Sequence, residues 1–366
     1  MTQLDWCDIM QATCSERKSA MRYFQIKNRS VITFILILVL LAGCTLPVGE
    51  SGETPVEQPA GQPDQTPGQQ SPEPPPIETN GDGPLLWRVT SPDGQTLYLF
   101  GSIHAADAEL YPLPDAIMDA FSRSDYLAVE FDVVAFEQNA AALAEMSAML
   151  MYTDGRTVVD DIGYELHQRA IALMSELESE LESHLGRGFP LELLDAFKPT
   201  MWIDLLTAVA IDRSGMSFDY GLDRFFINEA NARGMEIIEI ESFEDQISML
   251  LGFSVPLQMF LLENVMDIDE VVVGTNKLYE LWKAGDIQAL EAFLESDTDS
   301  FPPELADEYF EAMLTERDIA MVAAAQRYMD EGRKVFYVVG LAHMIGEDGI
   351  VGQLVRSGYT VERLAV

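Results

Sequence analysis

The sequence predicts an α/β fold: a central mixed, largely parallel sheet with flanking helices and a helical insertion. Three observations carry that prediction. Two apolar, β-like runs end in the same short turn, Gly101-Ser-Ile-His104 and Gly340-Leu-Ala-His343. A helix, a glycine and a strand succeed one another between Gly221 and Glu241, the order expected of βαβ architecture. The long stretches that join the apolar runs have helical rather than alternating periodicity.

In chain order, Leu85 to Thr90 and Thr96 to Phe100, joined by Ser91-Pro-Asp-Gly94, form a hairpin whose second strand delivers Gly101 and His104. Pro114 to Ser124 is a helix, and Tyr126-Leu-Ala-Val-Glu-Phe131 is a buried strand with Glu130 near its end. Val134 to Met151 is helical, its methionine stripe serving core packing rather than a ligand groove. Tyr164 to Leu185 is one long helix with an acidic face, and Leu191 to Ile211 is another, kinked at Pro199. A helix opened by Gly221-Leu-Asp223 runs to Arg233 and stops at Gly234, and Met235 to Glu241 is the next strand. Helices then cover Phe243 to Phe253, Leu257 to Trp282, Ile287 to Leu294, Pro303 to Met313 and Glu316 to Glu331. Val335 to Val339 delivers Gly340 and His343, and Tyr359 to Ala365 closes the sheet. The helical insertion falls between the second and third core strands.

The N-terminal part of the chain is not fold. Arg22, Lys27 and Arg29, the apolar run Val31 to Ala42, and small residues before Cys44 are the three parts of a secretory signal; the run is short for a membrane span. Leu41-Ala-Gly-Cys44 resembles a bacterial lipobox, which implies cleavage before Cys44, a lipid anchor on its sulfur, and an extracytoplasmic, membrane-tethered protein. An uncleaved anchor is the alternative, and Met21 is an alternative start to Met1. Residues 45–84 are Pro, Gly, Gln, Glu and Ser with almost no large apolar side chain, the composition of a disordered tether. Residues 85–366 form the folded domain. Cys7, Cys14 and Cys44 are the only cysteines, so neither a disulfide framework nor a cysteine metal site is available to it.

Lys and Arg number 22 against 61 Asp and Glu, a formal net charge of -39. A surface so acidic repels phosphate backbones and anionic headgroups, which excludes nucleic-acid binding and leaves membrane contact to the lipid. Solubility or a saline habitat accounts for the charge without a functional role. Gly-x-Ser-x-Gly, phosphate-loop and dinucleotide fingerprints are missing, against serine-hydrolase, nucleotide and nicotinamide chemistry.

The two Gly-x-x-His turns hold half of the four histidines. With glycine at about 7% of residues, that is a roughly 3% coincidence. His104, Glu130, Glu241 and His343 all fall at or just past strand ends, where ligand sites of parallel sheets lie. Two imidazoles with one or two carboxylates suit a divalent first-row metal such as zinc, manganese or cobalt, which would polarise a carbonyl and activate water. Glu130 lies in an apolar strand and needs a cation or a histidine beside it. Glu241 ends an alternating acidic run that would equally serve as a solvated face. Asp223 is a first-turn acid that either complements its helix dipole or joins the site. Arg317, at a helix start, pairs with a carboxylate, steadies an oxyanion or lies on the surface. His167 and His184 sit on acidic, exposed-looking helical stretches and receive no role.

Tyr98-Leu-Phe-Gly-Ser-Ile-His104, Leu113-Pro114, Leu127-Ala-Val-Glu-Phe-Asp132, Lys198-Pro199, Gly221-Leu-Asp223, Ile238 to Gln246, Arg317-Asp318, Val338-Val-Gly-Leu-Ala-His343, Gly346, Gly349 and Gly358-Tyr359 together resemble the TraB/GumN family, which includes the Tiki metalloproteases. The resemblance runs in order over Leu85 to Val366. It implies an α/β fold like that of erythromycin esterase and ChaN-type proteins. It also implies an active site of His104, His343 and Glu130 with Arg317 beside them, and, in the Tiki branch, manganese- or cobalt-dependent peptide cleavage. Where many members read Arg-Asn, this chain has Arg317-Asp318, a carboxylate that would serve as a cap or support a ligand.

The resulting expectation is a lipid-anchored, metal-dependent hydrolase acting on a peptide or small molecule, with His104, His343, Glu130 and Glu241 as metal ligands. In it Glu130 is ligand or general base, and Arg317 steadies negative charge. Two rivals use the same mouth: a non-catalytic binder of a peptide or haem-like ligand, and a metal-free, esterase-like enzyme with His104 as base and Glu130 as orienter. The sequence leaves the oligomeric state open.

Overall fold

The two strands that carry the Gly-x-x-His turns are neighbours. In the computed structural model, which describes residues 83–298 and 301–366, β2 (Thr96–Ser102) and β5 (Val335–Gly340) pair in parallel, with Gly101 opposite Val339 and Ser102 opposite Gly340. On its other side β5 pairs in parallel with β3 (Tyr126–Val129), and β3 with β4 (Glu236–Glu239). β1 (Leu86–Thr90) and β6 (Thr360–Arg363) add an antiparallel edge beyond β2, giving the order β4-β3-β5-β2-β1-β6. The mixed, largely parallel sheet is as the sequence predicts. Four parallel neighbours therefore end at one edge. The expected leader, lipobox and most of the tether lie outside the described residues.

Alternation along β5 sends successive side chains to opposite faces, and the helices that position the site are anchored accordingly. Phe336 meets Phe226 at 4.8 Å and Phe121 at 5.4 Å between ring centroids, with Phe100 of β2 at 5.9 Å. These contacts fix α1 (Asp115–Ser122) and α7 (Leu222–Arg233) on one face. Tyr337, the next residue, donates its hydroxyl to the Met321 carbonyl at 2.9 Å and so fixes α13 (Glu316–Asp330) on the other. A fully buried aromatic of this kind is worth about 3–5 kcal/mol against truncation to alanine.

The helical insertion between β3 and β4 comprises α2 (Val133–Gln138), α3 (Ala140–Met149), α4 (Val158–Glu176), α5 (Glu178–Leu185) and α6 (Pro199–Arg213). Several expected helices are divided. Val134 to Met151 breaks at Asn139, whose side chain accepts from the Ala141 and Ala142 N–H groups and caps a new helix. Tyr164 to Leu185 splits at Leu177. Pro199 does not kink a helix: it starts α6, where its missing N–H costs nothing, after a separate short turn at Leu191–Ala196.

A second helical stretch joins β4 to β5. It contains α8 (Phe243–Gly252), α9 (Val255–Val265), α10 (Ile268–Ala284), α11 (Ile287–Thr298) and α12 (Pro303–Phe310). The single helix expected over Leu257 to Trp282 breaks because Asp267 caps the Glu270 N–H. α10 reaches back to the sheet, where the buried Trp282 indole donates to the Gly101 carbonyl at 2.8 Å. Beyond β5 lie α14 (Leu341–Met344) and α15 (Ile350–Arg356). Among the described residues no single helix is long and apolar enough to cross a membrane.

His167 and His184 correct the sequence reading, since both are buried. Each lies on the apolar side of its helix and meets a carboxylate, His167 with Asp195 at 2.8 Å and His184 with Asp212 at 3.0 Å. His167 also packs 5.5 Å from the Trp202 ring. Met146 and Met151 are buried in the core, as expected.

Candidate active site at the parallel strand ends

The four strand-end residues meet. Reading across the edge, Glu241 lies just past β4, Glu130 past β3, His343 past β5 and His104 past β2. Gly340 marks their point of convergence. A Cβ built on it would stand 3.4 Å from Glu130 Oε1, 3.6 Å from His104 Nε2 and 3.7 Å from His343 Cδ2. The glycine leaves that space open.

Each imidazole is held by a carboxylate from a different face of the sheet. His104 Nδ1 donates to Asp223 Oδ2 at 2.7 Å, in the first turn of α7, and Asp223 Oδ1 accepts from the buried Ser102 hydroxyl at 2.8 Å. His343 Nδ1 donates to Asp318 Oδ1 at 2.6 Å, in the first turn of α13. A carboxylate only accepts, so each Nδ1 carries a proton and Nε2 is the ring nitrogen left for another partner. The His343 Nε2 atom is buried and has no partner among the described residues. Burial lowers the His104 pKa, but the Asp223 carboxylate more than reverses this and raises it to about 9. Burial raises the pKa of Asp318.

Arg317 clamps the two glutamates. Its Nη2 donates to Glu130 Oε2 at 2.6 Å and its Nε to the two Glu241 oxygens at 2.9 and 3.1 Å, while Nη1 donates to the Met313 carbonyl at 3.1 Å. A π-helical turn, Glu311–Thr315, directly precedes α13 and holds Met313. Such turns recur at functional sites, where the extra residue re-aims the next stretch of helix. Glu130 Oε1 accepts the Gly340 N–H at 2.8 Å. Burial raises the Glu130 pKa, yet Arg317, the two histidines and the Gly340 N–H together hold it down at about 2. Glu130 is thus a standing anion.

Gln246 and Ser102 are site residues that sequence reasoning misses. Gln246 Nε2 bridges Glu130 Oε2 and Glu241 Oε2, each at 3.1 Å. One signal is present: Phe243, Gln246, Ile247 and Leu250 form the buried stripe of α8, and a polar residue on such a stripe needs a partner.

Among the described residues no three His, Cys, Asp or Glu side chains stand close enough to form a closed metal cage. The chemistry of the set nevertheless fits a divalent cation. Arg317 pairs with Glu130 and Glu241 while Asp223 and Asp318 pair with the imidazoles, so four buried or nearly buried carboxyl groups gather here. Both rings carry the carboxylate-to-Nδ1 bond that orients metal-binding histidines. Glu130 Oε1, with one hydrogen bond, retains a lone pair.

The TraB/PrgY/gumN family profile matches residues 85–363. The chain belongs to the TraB/PrgY/gumN family. Among similar proteins, YbaP of Escherichia coli (strain K12) is 24% identical over 270 residues, 73% of this chain and 90% of that protein. A protein named as a metalloprotease TIKI homolog, from Amphimedon queenslandica, is 19% identical over 319 residues, 77% of this chain and 61% of its own length. No solved structure matches the chain significantly. The family match spans the four strand-end side chains, His104, Glu130, Glu241 and His343, and also Arg317 of α13.

Proposed function

We propose that this TraB/PrgY/gumN member is a metal-dependent hydrolase that cleaves peptides, tethered outside the cytoplasm through Cys44. One observation carries the reading: two imidazoles on adjacent strand ends, each fixed through Nδ1 by a carboxylate, flank an open point at Gly340 together with an ionised Glu130. The distant likeness to a TIKI metalloprotease homolog supports the same reaction class.

In this reading His104 Nε2, His343 Nε2 and Glu130 hold the ion, which would be manganese, cobalt or zinc. When bound, such an ion supplies Lewis acidity toward a carbonyl and toward attacking water. Asp223 and Asp318 keep both Nδ1 atoms protonated and both rings aimed at the common point. Arg317 and Gln246 hold Glu130 and Glu241 apart from bulk water and in fixed orientation. Three of the five Arg317 N–H donors are spent on Glu130, Glu241 and Met313, so its first task is to clamp Glu130, and any contact to developing oxyanion charge falls to the remaining two. Glu241 serves by completing that clamp, with its oxygens on Arg317 and Gln246.

The metal-free alternative asks the same His104 Nε2 to accept a proton, so metal content separates the two readings. The metal reading is tested by metal content of the purified protein and of His104→Ala, measured by mass spectrometry, with peptide products sequenced in parallel. Loss of metal and of new peptide termini in the variant is expected. Unchanged stoichiometry overturns the site, and intact peptide recovered after saturating binding with manganese present favours capture over cleavage.

A further inference from the structure

The segment after β2 and the first turns of α7 line a half-open surface cavity of about 330 Å³. Tyr111, Leu113, Met118, Tyr220 and Phe225 line it. The Tyr111 ring lies 4.8 Å from Phe225 and 6.5 Å from Tyr220, and its hydroxyl donates to the Tyr220 carbonyl at 2.7 Å. Two carboxylates complete the lining, Asp219 and Glu229. Glu229 is paired with Arg233 at 3.0 Å. Asp219 lies in the field of Arg224, whose guanidinium is bound to Glu137.

The cavity adjoins the cluster through one turn of chain. Tyr220 precedes Gly221, which is pressed so closely on His104 that a Cβ there would stand 2.1 Å from the His104 carbonyl oxygen. Two residues before Phe225, Asp223 holds the His104 ring.

We propose that this cavity is the subsite for a cationic side chain, lysine or arginine, of the peptide cleaved at the neighbouring cluster. The proposal rests on the peptidase reading above and adds the substrate's chemical class. The aromatic walls accept the aliphatic stem of such a side chain, and the ring faces attract its charged head. Asp219 supplies the countercharge, the guanidinium of Arg224 being bound to Glu137. The volume is at the small end of the roughly 300–1,000 Å³ that small-ligand pockets occupy, which suits one long side chain rather than a folded segment. An acidic side chain would meet repulsion from Asp219, and a chain of net charge -39 already concentrates basic peptides around itself.

The test uses the full chain and peptides identical except for one Lys, Arg, norleucine or Glu. Cleavage with manganese is followed by mass spectrometry, and binding to the metal-free protein by nuclear magnetic resonance titration. Lys and Arg peptides are expected to be preferred over norleucine by roughly tenfold in both assays, the combined scale of a cation–aromatic contact and one exposed ion pair. Asp219→Lys abolishes that preference, whereas Tyr220→Ala, at a site 42% exposed, weakens Lys and norleucine peptides alike. A Lys-to-norleucine ratio near one in the wild type, or one that Asp219→Lys does not alter, overturns the proposal. Should no peptide be cut while the Lys peptide still binds through Asp219, the peptidase reading fails and the subsite stands.

Discussion

His343 Nδ1 lies 2.6 Å from Asp318 Oδ1, and this buried pair is the counterpart, from the opposite face of the sheet, of the 2.7 Å bond between His104 and Asp223. The Asp318 carboxylate is therefore a support for a histidine. Removing such a support typically costs 10–100-fold in metal affinity. Asp318→Ala is expected to weaken cobalt or manganese binding on that scale in equilibrium dialysis. Asp318→Asn keeps an acceptor oxygen for Nδ1 and should lose less. Equal affinities for wild type and Asp318→Ala would show that His343 is not a ligand.

Arg317 pairs with both Glu130 and Glu241, and its side chain is 10% exposed. Replacing it with methionine strands Glu130 and Glu241 as buried charges, which costs about 3–5 kcal/mol when one partner of a buried pair is lost. Urea unfolding of Arg317→Met should fall by that amount. The double variant with Glu130→Gln should recover part of it, because one of the two stranded charges is gone. No recovery would mean that Arg317 stabilises through packing alone.

The strand ends are legible in the sequence because strands buried on both faces read as apolar runs, and glycine and histidine stand out at their ends. The supports are harder to read. Asp223, Phe226, Ile227 and Ala230 form the buried stripe of α7, as Asp318, Met321, Val322 and Ala325 do on α13. In sequence, a first-turn acid on such a stripe looks the same whether it complements the helix dipole or reaches a histidine on another strand. His167 and His184 mislead for a related reason: abundant surface acids dominate the local composition, while the histidine itself faces inward. The helix breaks at Asn139 and Asp267 depend on single side-chain caps, which hydrophobic periodicity does not register.

Asp204, in the middle of α6, is fully buried, and neither carboxylate oxygen has a partner among the described residues. Burial raises its pKa well above 3.8. The folded state thus holds a proton that the unfolded chain releases near pH 4, so stability from this group is full below that pH. It declines as pH rises toward the raised folded pKa, by up to about 1.4 kcal/mol per pH unit. Asp204→Asn has no such proton to lose. Relative to wild type, its stability in urea unfolding should be higher at pH 8 than at pH 5. An offset equal at both values would show that Asp204 ionises normally in the folded protein.

Gly340 separates the needs of the fold from those of the site. Its φ of -52° and ψ of 142° are open to any residue, and the nearest atoms to an added methyl lie at 3.4 to 3.7 Å, ordinary contact distances. Gly340→Ala should therefore move stability by less than about 1 kcal/mol. That methyl would, however, stand among Glu130 Oε1, His104 Nε2 and the His343 ring, where an ion or a scissile carbonyl has to sit. Metal binding and peptide cleavage should both fall at least tenfold with the melting temperature nearly unchanged. Gly101→Ala provides the contrast: its methyl would press on Leu85 Cβ at 3.2 Å, away from the three donor groups, and should affect stability instead. A Gly340→Ala protein with full metal content and full activity would place the chemistry elsewhere.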